Sequence, residues 1–309
     1  MLEKLLETVK EFDTICIYRH VNPDGDANGS QFGLKTYLEN QFPEKTFYAL
    51  GKENVKTFFP HCYHGDIDFS KALAIVCDTA NRERIDGEGV FDCAKIIKID
   101  HHPIVDNFGD INIVNEKACA TCEVLGTLLM ENNEKLTQEC ATYLYCGLLT
   151  DSQKFGIRSV TPNTFKLAGY LASFGVDIPL VNERMFASDL NSFRYETYLR
   201  AHVEFIHDSI AYVIADCKDY EQFGLTFEKA KEKVFIMNSV EEFQMYCLFT
   251  QQSDGTYSGS LRSKNAKIND IAANYHGGGH NLACGVRGLT RVSIQSLLND
   301  LYQRLKEAE

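Results

Sequence analysis

The stretch TICIYRHVNPDGDA, residues 14–27, sets the architecture. Its first five residues are apolar or β-branched and read as a buried strand, Asn22-Pro23-Asp24-Gly25 is a strong turn signal, and a helical pattern follows over residues 27–39. Strand, tight turn and helix together open a βαβ unit. The strand signal recurs at residues 46–50, 73–77 (LAIVC) and 95–99 (KIIKI), and a helical pattern over residues 2–11 precedes them all. That order predicts an α/β domain with a parallel sheet and crossover helices.

Further out, helical patterns at residues 123–132, 138–149 and 163–174 close an N-terminal domain placed at 1–185. Residues 186–203 are polar and aromatic, without Gly or Pro, and read as a helical linker. Beyond it the texture changes. Runs at 207–215, 233–237, 244–251 and 256–261 read as strands, mostly in hairpin succession, with helices at 268–275 and 293–307. A smaller α+β domain over 204–309 is expected, and 309 residues are about twice a usual domain.

Composition narrows the function. The chain carries 43 acidic against 31 basic residues, a formal charge of -12, and no dense Lys/Arg block, which disfavours long duplex nucleic acid as a partner. A short phosphorylated substrate stays compatible, because bound cations can govern the field inside one pocket. No apolar stretch approaches a membrane span and the first residues lack a basic-then-apolar leader, so no membrane partner and a cytoplasmic address are expected. The 11 cysteines are scattered through apolar settings and suit reduced core thiols. The single C-x-x-C, Cys119 and Cys122, has no second pair and no nearby histidine, so zinc is not inferred from it.

The chemistry gathers where the strands end. TICIY runs into His20, Asp24 and Asp26; LAIVC into Asp78; KIIKI into Asp100-His101-His102; and a fourth carboxylate, Asp151, ends an apolar helix in GLLTDS. Carboxyl ends of parallel strands share one edge, which is where ligands bind, so these groups should converge. Taken singly, each Asp is a turn former or cap and each His a packed or solvated residue. Together they crowd carboxylates that repel one another, a cost that divalent cations remove. Oxygen and imidazole donors suit Mn²⁺, Mg²⁺, Fe²⁺ or Zn²⁺, and the number of donors is enough for two ions sharing a carboxylate.

A second motif lies in the C-terminal domain. Gly277-Gly278-Gly279-His280 follows a helix, and one Gly is enough to end a helix, so its neighbours point to close backbone approach to a ligand, with His280 as an anion donor. No Lys-Ser/Thr follows, which argues against ATP hydrolysis. Arg262-Ser263 closes the preceding strand, and the Arg262 fork suits a phosphate.

The segments HVNPDGDA (20–27), VCDTANRERID (76–86), IDHHP (99–103) and GLLTDS (147–152) resemble the four successive motifs of the DHH phosphoesterases, and GGGH resembles the signature of the DHHA1 domain. Length and paired domains are most similar to bacterial oligoribonucleases of the nano-RNase type, which also dephosphorylate 3′-phosphoadenosine 5′-phosphate (pAp). The resemblance implies two divalent ions, usually Mn²⁺. One would take His20, Asp24 and Asp78; the other Asp26, Asp78, His101 and Asp151, with Asp78 bridging. It further implies that Asp100 orients an imidazole and that His102 faces the substrate phosphate, while Arg262, Ser263, Gly277, Gly278, Gly279 and His280 hold a short oligoribonucleotide or small nucleotide. A homodimer is compatible with it. Two positions depart from the pattern: Gln153 stands where relatives often carry Gly, and Arg19 where some carry an acid. Two rival readings remain: a manganese pyrophosphatase, whose C-terminal domain lacks GGGH, and a nucleotide sensor that binds without cleaving.

Overall fold

The structure is a computed structural model that describes residues 1–52, 58–238 and 240–308. The chain divides into two compact units, residues 1–187 and 188–309.

In the first unit α1 (Leu2–Lys10) precedes β1 (Thr14–His20), α2 (Gly25–Gln41), β2 (Thr46–Ala49), β3 (Ala72–Cys77), β4 (Ile85–Asp86), β5 (Lys95–Asp100) and β6 (Ile111–Val114). The sheet order is β2-β1-β3-β5-β6, all parallel, with β4 pairing antiparallel to the end of β1. Chain order reverses direction between β1 and β3, the topological switch point at which such sheets bind ligands. Alternation sends Ile15 and Ile17 into one core and Cys16 and Tyr18 into another, so the central strands are covered on both faces and read as continuous apolar runs. The expected crossover helices are fewer than the strand pattern suggests: α2 alone forms one, and the later links carry only 3-10 turns such as Phe69–Lys71 and Val90–Asp92 among the described residues.

The helices α3 (Thr121–Glu131), α4 (Gln138–Asp151), α5 (Pro162–Ala172) and α6 (Ile178–Phe186) follow the sheet. α2 and α4 pack closely because glycines face each other across the contact. A Cβ on Gly29 would stand 2.5 Å from the Tyr143 carbonyl oxygen, and one on Gly147 would stand 2.7 Å from Asp26 Oδ1 and against Cys122 Sγ. This approach brings the first turn of α2, with Asp26, beside the last turn of α4, with Asp151.

The second unit begins with α7 (Leu190–Ala201), then β7 (Glu204–Ile206), β8 (Ile210–Ala215), α8 (Cys217–Glu221), α9 (Phe227–Lys231), β9 (Met245–Gln251), β10 (Tyr257–Ser263), α10 (Asn269–Asn274), β11 (Gly278–His280), β12 (Ala283–Leu289) and α11 (Arg291–Ala308). The sheet order is β11-β12-β10-β9-β8-β7. Three expectations need correction. The 186–203 linker is not one helix: α6 ends at Phe186, and Asp189 caps a new helix by accepting the Ser192 N–H at 2.9 Å. Tyr195 and Leu199 then bury α7 in the second unit's own core. The 233–237 run is a 3-10 helix, Glu232–Met237, whose Val234, Ile236 and Met237 are buried while Phe235 is exposed; an apolar run this short fits either conformation until packing decides. β8 and β9 are parallel, an exception to the hairpin succession mostly expected here. No described helix is long and apolar enough to cross a membrane.

Candidate metal centre

Each side chain of the cluster arrives from a strand end or a helix end. β1 ends at His20; the turn after it places Asp24 as the N-cap of α2, where Oδ1 accepts the Asp26 and Ala27 N–H groups at 3.0 Å each. That leaves Asp24 Oδ2 facing His20 Nε2 at 3.7 Å. β3 delivers Asp78 at φ 51, a left-handed conformation that Asp and Asn tolerate better than other side chains. β5 delivers Asp100, then His101 and His102, and α4 ends on Asp151.

The six expected ligands converge. His20 Nε2 lies 3.4 Å from Asp78 Oδ2, and His101 Nε2 lies 3.5 Å from Asp78 Oδ1, 3.6 Å from Asp151 Oδ2 and 3.9 Å from Asp26 Oδ2. Two donor groups result, His20/Asp24/Asp78 and Asp26/His101/Asp151, each with its ligand atoms within 4.8 Å of one another. Asp78 turns one oxygen to each histidine. A third grouping of Asp78, His101 and His102 meets the same distance limit.

The donor set fits divalent ions on the chemistry of its histidines. His20 Nδ1 faces the Val21 carbonyl at 2.8 Å and His101 Nδ1 faces the Ala118 carbonyl at 3.3 Å. A carbonyl accepts only, so each Nδ1 carries the proton in the neutral ring and each Nε2 offers its lone pair to the cluster. His102 differs, because its Nδ1 is 2.8 Å from Asp100 Oδ1. Asp100 is fully buried; it accepts the His101 and His102 N–H groups at 2.8 and 3.2 Å and pairs with Lys98 at 3.2 Å. It bonds the His102 ring and the backbone N–H groups of both histidines.

Without cations this arrangement is electrostatically expensive. Burial, then Asp78 and Asp24, drive the Asp26 carboxyl well above its ordinary range, although the Cys122 N–H opposes them. Asp151 is pushed up to about 10 by burial and then by Asp26, Asp24 and Asp78. Burial would lower His20, yet Asp24 and Asp78 outweigh it and bring it to about 10. With values near 10, Asp151 and His20 would hold their protons near neutrality in the metal-free protein and would release them on becoming ligands. Metal affinity should therefore climb with pH toward 10. Titrating Mn²⁺ calorimetrically at pH 7.5 in two buffers of different ionisation enthalpy should show at least about one proton released per protein; identical heats in both buffers would contradict it.

Several contributors escaped the sequence reading. The Thr121 and Cys122 N–H groups, at the start of α3, donate to Asp26 Oδ2 and Oδ1 at 2.6 and 2.9 Å, and Thr121 Oγ1 donates to Asp78 Oδ1 at 3.0 Å. So the C-x-x-C segment serves through its backbone, and both thiols are free and buried. Lys98 is buried inside β5 and also donates to the Ala80 and Asp106 carbonyls at 3.0 and 3.1 Å. A Lys within an apolar strand was the available signal. Of the two departures, Arg19 is wholly buried and donates to the Leu50 and Lys52 carbonyls at 3.0 and 2.7 Å, so it braces the chain after β2. Gln153 adopts φ 47, a left-handed position that Gly takes without cost.

In the second unit GGGH is not a loop. Gly278–His280 form edge strand β11 on β12, a strand the sequence reading did not anticipate. Close packing of this hairpin accounts for two glycines: a Cβ on Gly277 would strike the Gly285 carbonyl, and Gly279 has φ 136 with its Cβ position 2.5 Å from the Ala283 carbonyl. Gly278 meets nothing within 4 Å. His280 and Arg262 both pair with Ala283 from opposite sides, so they share one sheet face, and Arg262 is held by its Nη1 bond to the Leu261 carbonyl at 2.9 Å. Ser263 lies one residue on, buried and directed to the other face.

A parallel sheet with histidines and carboxylates that could hold divalent ions at its switch point fits a metal-dependent phosphoesterase, and the chain belongs to the DHH family. Residues 14–148 match the DHH family, N-terminal domain, and residues 210–307 match the DHHA1 domain. The chain is 34% identical, over 98% of its length and 97% of the relative's, to the probable bifunctional oligoribonuclease and PAP phosphatase NrnA of Streptococcus mutans. It is 32% identical, over the whole of both chains, to the bifunctional oligoribonuclease and PAP phosphatase NrnA of Bacillus subtilis. A crystal structure of an exopolyphosphatase-related protein from Bacteroides fragilis shares the fold, with a TM-score of 0.82 at 22% identity over 99% of this chain and 95% of that one.

Proposed function

We propose that this chain is a phosphoesterase that uses two divalent ions, Mn²⁺ by preference, to hydrolyse short oligoribonucleotides and pAp to nucleoside monophosphates. The observation that carries the reading is Asp78, set between His20 and His101 so that one of its oxygens faces each histidine. His20, Asp24 and Asp78 would hold one ion, and Asp26, Asp78, His101 and Asp151 the other. Bound there, the ions supply Lewis acidity toward a phosphoryl group and lower the pKa of water.

The chain's own groups fix the rest. Thr121 and Cys122 pin both oxygens of Asp26, and Thr121 also steadies Asp78, so neither carboxylate swings as charge develops. Asp100 holds His102 by Nδ1, which leaves Nε2 to address a phosphate oxygen. Burial lowers the His102 pKa, but in the metal-free protein Asp100 and Asp78 raise it by more. In the second unit, Arg262 and His280 on one face, with the open Gly278 beside them, suit a phosphate or ribose. Gly277 and Gly279 shape that hairpin, and the buried Ser263 supports it from below.

Purified protein with Mn²⁺, the dinucleotide pApA, pAp, a long RNA and pyrophosphate, read by chromatography, tests the reading. AMP from the first two substrates, with the long RNA intact, is the expected result. Orthophosphate from pyrophosphate alone would identify a pyrophosphatase, and bound but uncut pApA a sensor.

A further inference from the structure

Arg84 ends the 3-10 turn Arg82–Arg84 that leads into β4. Its carbonyl accepts the Val21 N–H at 2.8 Å, and β4 pairs with Arg19 and His20, so its backbone is fixed against the end of β1. The guanidinium Nη2 stands 3.4 Å from His20 Nδ1. That nitrogen is already committed as a donor to the Val21 carbonyl at 2.8 Å, and an N–H cannot accept a second donor. Arg84 is thus held beside a cluster histidine with its hydrogen-bond donors unspent.

The neighbouring cations are engaged elsewhere. Asp106 grips Arg82 at 2.9 and 3.1 Å, Lys98 is buried on Asp100, and Arg19 is buried on backbone carbonyls. Arg84 has no carboxylate partner among the described residues and its side chain is exposed. An exposed guanidinium beside a carboxylate-rich cluster, with a planar fork, is suited to an incoming phosphate.

We propose that Arg84 binds a phosphoryl oxygen of the substrate on the His20 side of the cluster, an assignment that rests on the phosphoesterase reading above. As a contact made equally to bound substrate and to the reacting complex, it sets affinity more than turnover.

The test compares wild type, Arg84→Gln and Arg84→Lys, each loaded with Mn²⁺. For Arg84→Gln the KM for pApA and the calorimetric Kd for AMP should both rise roughly 10- to 100-fold, the range of a charge-assisted hydrogen bond, with kcat within about threefold and Mn²⁺ affinity unchanged. Arg84→Lys, which keeps the charge and loses the fork, should fall between. Unchanged KM and AMP affinity would overturn the assignment. So would a loss of Mn²⁺ affinity that tracks the loss of activity, since Arg84 would then act by setting the His20 ring. Should Arg84→Gln fail to fold, the lysine variant decides by the same two measurements. A wild-type protein that leaves pApA intact counts against the function reading alone, and AMP binding to the Mn²⁺-loaded protein still tests Arg84.

Discussion

Asp78→Asn should reduce hydrolysis of pApA by at least about a thousandfold while the melting curve stays close to wild type. The size follows from position: Asp78 turns one oxygen to His20 and the other to His101, so its charge would be lost to both proposed ions, and a pair of Lewis acids supplies several kcal/mol of transition-state stabilisation. Asn is the informative replacement because Asp78 sits at φ 51, which Asn tolerates and Ala does not. Asp78→Ala should abolish activity too, with about 1 kcal/mol of added backbone strain that confuses the readout. Bound Mn²⁺, counted by elemental analysis after desalting, should fall in parallel. Near-normal turnover in Asp78→Asn would remove the two-ion assignment.

One substitution at two glycines should give opposite signs. Gly29→Ala drives a methyl group into the Tyr143 carbonyl at 2.5 Å, and backbone cannot rotate away as a side chain can, so α2 and α4 must separate. We expect a loss of roughly 3 kcal/mol, the upper end for overpacking, together with weaker Mn²⁺ binding, because Asp26 and Asp151 ride on those two helices. Gly169→Ala lies in α5 with nothing within 4 Å of the new methyl, and should gain about 0.5–1 kcal/mol through helix propensity. Calorimetric melts of the two variants, with Mn²⁺ titrations, check both effects. Equal melting temperatures would show that the α2–α4 contact is looser than described.

The site was legible in the sequence to the extent that strand ends mark it. Apolar runs that stop at Asp78 and at Asp100-His101 place those residues on one sheet edge whatever the details of packing, because parallel strands point the same way. Asp24 and Asp26 were legible through the turn signal, and Asp151 through its place at the end of an apolar helix. What escaped has a common cause. Thr121 and Cys122 act through backbone N–H groups, which every residue has, so no side-chain pattern announces them. Lys98 and Arg19 are cations whose partners are carbonyls far along the chain, and Arg84 gains its meaning only from β4 folding back on His20.

The second unit shows the same division. Its strands at 244–251 and 256–261 were readable by alternation, whereas the 233–237 run took a 3-10 helix because the core against α7 accepted Val234, Ile236 and Met237 in that form. Gly277 and Gly279 proved to be packing glycines of a hairpin, a role that needs the Ala283 and Gly285 carbonyls in place.

From the order of its residues alone, this protein's parallel sheet, its family resemblance and the acidic and imidazole groups proposed as ligands were readable, since short-range periodicity and chemistry at strand ends are local properties. Only the tertiary structure decided which oxygen faces which histidine, which tautomer each ring holds and which arginine is left with open donors. Those depend on distances between segments tens of residues apart, and no local pattern encodes them.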